Sequence, residues 1–149
     1  MPTLLRRIKS VISSMNITFA FLNSGKKNIA RLLLFQDDPH GYFAIGAGDS
    51  NKLPSSGDTP LLGQNQCWKS AERRLIETAD GEYFAEWSAQ FHYGEITSNK
   101  ICEVAISRNA TNGTCDGLVR AAVDEIKLSP GSVVTISIRI SPRDLKILI

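Results

Sequence analysis

No run of about 18 consecutive apolar residues occurs in the sequence, so it encodes no helix long and apolar enough to cross a bilayer. Three cysteines in 149 residues are too few for a disulfide scaffold. Cys67, Cys102 and Cys115 also lack the close pairing of a zinc site. Buried thiols are expected, with a Cys102–Cys115 bridge across neighbouring strands as the alternative. Histidine is scarcer still. His40 stands beside a proline and a glycine, and His92 would need a partner such as Glu86 or Glu95 to act as a base. There is no Gly-x-Ser-x-Gly elbow, phosphate-cradling P-loop or His-Glu-x-x-His helix. Gly46-Ala47-Gly48 lacks the third glycine of a dinucleotide loop, because Asn51 stands there. The expectation is no enzyme: no catalytic residue, no metal site and no cofactor.

Acidic charge is missing from one end. Residues 1–31 hold Arg6, Arg7, Lys9, Lys26, Lys27 and Arg31 with no Asp or Glu, a charge of +6, while the remainder carries −4 and the whole chain +2. A basic end on a mildly acidic body suits an acidic protein surface, and a solvated arm is the plainer alternative. Leu4, Leu5, Ile8, Val11 and Ile12 fall on one helical face, so residues 3–13 fit a short amphipathic helix that orders on docking. Arg6-Arg7-Ile8-Lys9 before residues 11–22 has the outline of a secretion signal. Ser13, Ser14, Asn16 and Thr18 interrupt the apolar stretch, however, and no small-x-small cleavage site follows, so an uncleaved cytosolic product is expected.

What the sequence does have is ordinary globular composition, 42% hydrophobic and 21% charged, with strong alternation. Met15, Ile17, Phe19 and Phe21 alternate with polar or small residues as in a half-buried strand. Ser24 is placed to cap a short helix carrying Ile29, Leu32 and Leu33, which Asp38-Pro39-His40-Gly41 stops. From Gly46 to Gly63 the chain reads as a long loop. Residues 67–78 fit either a helical stripe or one arm of a hairpin turning at Ala79-Asp80-Gly81. Tyr83, Ala85, Trp87, Ala89, Phe91 and Tyr93 then share one strand face, a core face, while Glu82, Glu86, Ser88, Gln90 and His92 share the solvated one. Strands follow at 101–107, 118–123 and 133–140, the last two separated by Ser129-Pro130-Gly131. The pattern predicts a mainly β chain: an antiparallel β-sandwich, jelly-roll or Ig-like, with one short α-helix and an N-terminal arm. Its divisions are a basic arm over 1–14, the sandwich over 15–141 and an apolar tail over 142–149. Arg6, Arg7 and Lys9 in the arm, with Leu145, Ile147 and Ile149 in the tail, are the expected partner contacts.

The order of motifs adds a resemblance. Tyr42-Phe43-Ala44-Ile45-Gly46-Ala47-Gly48, then Asp58-Thr59-Pro60-Leu61-Leu62, Ile101-Cys102-Glu103-Val104-Ala105-Ile106 and a last strand opened by Leu128-Ser129-Pro130-Gly131-Ser132 resemble small β-sandwich proteins of tailed bacteriophages. Ala47, Ala105 and Ser132 stand where those proteins carry threonine, glycine and aspartate. The resemblance implies a virion component of the tail, baseplate, fibre or neck, assembled in the bacterial host cytoplasm. Its partners would be other virion proteins and copies of itself in a homo-oligomer, with no nucleic acid and no membrane. One alternative is a carbohydrate or host-receptor module at a tail tip, binding through Trp68 with Asp49 and Asp58 of the long loop. Another is a capsid-surface cement protein. Asp49, Asn51 and Asp58 also carry oxygens suited to calcium, without EF-hand spacing.

Overall fold

The structure, a computed structural model, describes residues 18–33, 41–109 and 116–141. The arm expected over 1–14, the tail over 142–149, the helix stop at Asp38-Pro39-His40 and Cys115 lie outside the described residues. Within them, the elements in chain order are β1 (Thr18–Phe21), α1 (Asn23–Leu33), β2 (Ala44–Gly48), β3 (Gln66–Ser70), β4 (Glu72–Glu77), β5 (Tyr83–His92), β6 (Lys100–Ser107), β7 (Gly117–Lys127) and β8 (Val133–Ile140). The strands form two antiparallel sheets, ordered β1-β7-β6-β2-β3 and β4-β5-β8. Ile45, Ala47, Val104 and Ala121 of the first sheet pack against Phe91, Val134 and Ile136 of the second. This is the mainly β sandwich with one short helix that the alternation predicts.

Several local expectations are corrected. The helix starts two residues early: the Leu22 carbonyl accepts the Lys26 N–H (3.0 Å) and the Asn23 N–H donates to Ser56 O (3.0 Å). Ser24 is therefore inside the helix, and its hydroxyl donates to Gly117 O at 2.9 Å instead of capping. The long loop begins after Gly48, because β2 is paired on both sides, by β3 and β6, and buried throughout. Residues 67–78 are two strands and no helix. Between them the chain passes from one sheet to the other at Ala71, whose N–H donates to Phe43 O (2.7 Å). The expected turn is a three-residue hairpin loop, with Gly81 N–H on Thr78 O, Thr78 N–H on Glu82 O and Gly81 at φ 83°.

β5 keeps its alternation, but its ends are open. Phe91 is fully buried, whereas Tyr83 and Tyr93, expected in the core, are 47% and 45% exposed. Tyr83 opens, and Tyr93 immediately follows, a ten-residue strand packed over a five-residue one, β2. Trp87 is half-buried and donates its indole N–H to Tyr42 O at 2.9 Å. On the other face Glu86, expected to be solvated, is buried between two arginines.

A bulge in the β6–β7 pairing decides what faces the long loop. Ile101 pairs with Ile126 but Glu103 pairs with Ala122, so the alternation resets between them. Ile101 and Val104, three residues apart, consequently both enter the core. Glu103 is turned to the opposite, outer face.

Candidate functional site

Two regions hold the charged and exposed apolar side chains that a site requires. The first is the outer face of the five-stranded sheet. Across it, Gln66, Gly48, Glu103 and Ala122 form one row, and Trp68, Gly46, Ala105 and Arg120 the next. The glycines make room for their large neighbours. A Cβ on Gly48 would lie 2.5 Å from Glu103 Oε2, and one on Gly46 would lie 2.6 Å from Cε3 of Trp68. The Trp68 ring thus rests on bare backbone, with its N–H donating to Gln66 Oε1 (3.2 Å).

Glu103 and Arg120 sit under the 49–65 loop and organise it. The Glu103 carboxylate accepts the backbone N–H groups of Ser50 (3.1 Å), Leu62 (2.8 Å) and Gly63 (2.7 Å), together with Arg120 Nε (3.0 Å). Arg120 Nη1 donates to Lys52 O (3.0 Å) and Asp58 Oδ2 (3.4 Å). Both side chains are fully buried, where an unpaired charge would be prohibitive, so each requires the other and the loop backbone.

The ligand candidates of the long loop are spent on this framework. Asp58 also accepts the Ser55 N–H (2.8 Å). Asp49 accepts the Asn65 backbone N–H (3.3 Å) and Nδ2 (2.7 Å). Burial raises the Asp49 carboxyl, but the bonds from Asn65 outweigh it and hold the group below its ordinary value. Asp49, Asp58 and Trp68 therefore lie in the same region, each engaged with the chain itself. No group of three or more His, Cys, Asp or Glu among the described residues is arranged to hold a metal ion. Arg6, Arg7, Lys9, Leu145, Ile147 and Ile149 lie outside the described residues.

Both carboxylates named as partners for His92 are also engaged. Glu95 accepts the His92 backbone N–H (2.5 Å) and pairs with Lys69 at 2.6 Å. Burial raises Glu95, and the Lys69 and His92 bonds bring it below its ordinary value. Glu86 accepts Nε (3.1 Å) and Nη2 (2.7 Å) of Arg74 through one oxygen and Nε of Arg139 (2.7 Å) through the other. Burial works to raise Glu86, and the two guanidiniums overcome it and hold the carboxyl low. Cys67 and Cys102 are free thiols, both pushed up chiefly by burial.

The second region is the edge of the three-stranded sheet. No described strand pairs with the side of β4 away from β5. Leu75 on this strand is 76% exposed. An open groove of about 460 Å³ runs beside it, lined by Ala71, Arg73, Leu75, Ala85 and Trp87 among others. Arg73 lies over the Phe43 ring at 4.0 Å, and Glu77 accepts the Tyr83 hydroxyl at 3.1 Å.

The sequence reading missed Glu103, Arg120, the pairing of Glu86 with Arg74 and Arg139, and the whole β4 edge. For Glu103 and Arg120 a signal existed: each is a lone charge inside an otherwise apolar strand, the pattern of a buried pair. Comparison of the chain with protein-family models, curated proteins and solved structures finds no match.

Proposed function

We propose that this chain is a non-enzymatic structural component of a tailed-bacteriophage virion, of the tail, baseplate, fibre or neck, acting through protein–protein assembly contacts. The observation that carries the reading is the state of the sheet edges. β1 and β4 end the two sheets without a described neighbour, and each presents a large apolar side chain, Phe19 at 55% and Leu75 at 76% exposure. Open edges with exposed apolar side chains are surfaces that associate. The resemblance of the motif order to phage β-sandwich proteins supplies the setting. The basic residues Arg6, Arg7 and Lys9 and the apolar Leu145, Ile147 and Ile149 add contacts of complementary kinds, charge for orientation and apolar area for affinity. That Trp68 rests on Gly46 with its N–H bonded to Gln66 favours packing over stacking on a sugar.

The test is made on particles. Mass spectrometry of purified virions should find the chain in stoichiometric amounts, and electron microscopy with a tagged copy should place it at one structural location. Deleting residues 1–13 should lower incorporation. Particles that are complete and infectious without the chain overturn the reading.

A further inference from the structure

We propose that β4 is a self-recognition strand: two copies of the chain pair antiparallel through Glu72–Glu77 about a two-fold axis at Leu75, joining their three-stranded sheets into one of six. The contact deepens the assembly reading above and rests on it for its biological setting.

The backbone fixes which residues are free to pair. In the β4–β5 register, Glu72 stands opposite Ser88 and Leu75 opposite Ala85. The same register continues to Thr78 and Glu82, where the Thr78 N–H donates to Glu82 O. Hydrogen-bonded pairs recur at every second residue of an antiparallel ladder, so Glu72, Arg74, Ile76 and Thr78 direct their backbone groups at β5. Arg73, Leu75 and Glu77 direct theirs away from it. Ala71, the next residue of that set, conforms: its N–H leaves β5 and donates to Phe43 O. A partner strand on the open edge must therefore bond to Arg73, Leu75 and Glu77.

Charge then selects the register. With the axis at Leu75, Leu75 meets its own copy, and Arg73 of each chain stands opposite Glu77 of the other. Arg74 stands opposite Ile76. An axis at Arg74 would set two arginines face to face, and one at Ile76 would bring no opposite charges together. An axis at Arg73 would also pair Glu72 with Arg74 twice, but it sets Arg73 against its own copy. Only the Leu75 axis makes two complementary pairs with no like charges directly opposite, which are unfavourable. Both members of each pair are already positioned within their own subunit. The Phe43 ring supports Arg73 at 4.0 Å, and the Tyr83 hydroxyl holds Glu77 at 3.1 Å. The exposed Leu75 gains an apolar neighbour at the axis, beside the groove lined by Ala85 and Trp87. The partner surface is the same patch on a second copy, as a two-fold contact requires.

The experiment is analytical ultracentrifugation of the full chain over a concentration series, with charge-reversed variants. The wild-type chain should dimerise. Arg73→Glu and Glu77→Arg should each weaken the dimer about tenfold or more, since each replaces two attractive cross-strand pairs with repulsive ones. Mixed together, the two variants should form a heterodimer, because every Glu at 73 or 77 in one then faces an Arg in the other. A role for either residue within its own subunit predicts no such rescue, since Arg73 and Glu77 are four residues apart along one extended strand. Leu75→Lys should also abolish the dimer, while circular dichroism reports that the sheets persist. A wild-type chain that is monomeric at every concentration, or single variants that do not recombine, overturns the pairing. The two proposals fail separately. A monomeric chain found in virions ends the β4 contact and leaves the assembly reading, and a dimeric chain absent from virions does the reverse.

Discussion

Glu103 and Arg120 meet at 3.0 Å on the outer face of the five-stranded sheet, both fully buried, and between them hold the backbone of the 49–65 loop at Ser50, Lys52, Leu62 and Gly63. The long loop, though much of its surface is exposed, is thereby anchored to the sheet through one buried ion pair. Removing Glu103 leaves three backbone N–H groups and a buried guanidinium without their acceptor. Glu103→Ala is expected to cost about 3–5 kcal/mol, the range for breaking a buried pair. Arg120→Met should cost less, because Glu103 keeps its three backbone donors. Urea unfolding measures both. Hydrogen exchange should accelerate at Ser50, Leu62 and Gly63 first.

Gly46 and Trp68 form the second constraint on that face. A methyl group at residue 46 would enter the indole ring at 2.6 Å, so Gly46→Ala must lift Trp68 from the sheet. The expected loss is about 1–3 kcal/mol, typical of overpacking. Trp68 emission should shift to the red, measured in a Trp87→Phe background to remove the second indole. Adding Trp68→Ala should recover part of the loss, because the clash then has no partner.

Trp87 holds the second sheet to the segment before β2 through its 2.9 Å bond to Tyr42 O. Trp87→Phe keeps most of the ring and loses the donor, and should cost about 0.5–1.5 kcal/mol. Trp87→Ala should fall at or below the lower end of the roughly 3–5 kcal/mol of fully buried aromatic truncations, because the ring is only half-buried. Chemical denaturation distinguishes the two variants.

The parts of this fold legible in the sequence are those whose alternation is local. Val133–Ile140 coincides with its expected bounds, and the strands around Phe91 and Val104 lie within a residue or two of theirs. β7 is longer than expected. Its last turn of sequence, Asp124, Glu125 and Lys127, is polar and exposed, and is kept extended by pairing with Lys100 and Ile101 beyond the bulge. That bulge is also why Glu103 and Arg120, each visible as a lone charge in an apolar run, could not be read as each other's partner. The residues are 17 apart, and only the reset register puts both on the outer face. Gly46 and Gly48 read as loop residues because glycine usually marks a turn, whereas here each supplies space for the residue across the ladder.

The Arg74–Glu86–Arg139 clamp makes stability depend on pH in one direction. Its carboxyl lies below the ordinary glutamate value of 4.5, since the two guanidiniums outweigh the burial that would raise it. Glu95, paired with Lys69, is displaced the same way, and so is Asp49, against an ordinary aspartate value of 3.8. The unfolded chain therefore takes up these protons at a higher pH than the folded one. The stabilisation is complete above the unfolded values and is lost as pH falls through the folded ones, so unfolding free energy should be level near neutrality and decline below about pH 4.5. Glu86→Gln removes one of the three groups. It should lower stability at pH 7 and reduce the acid slope, so that the variant and the wild type converge at low pH. Added salt should narrow the difference at pH 7, because both arginines are more than half exposed and screened by solvent ions. Thermal unfolding between pH 3 and 7, at low and high salt, reads all of these effects. Parallel curves for wild type and variant across that range would show that the clamp contributes nothing to acid sensitivity.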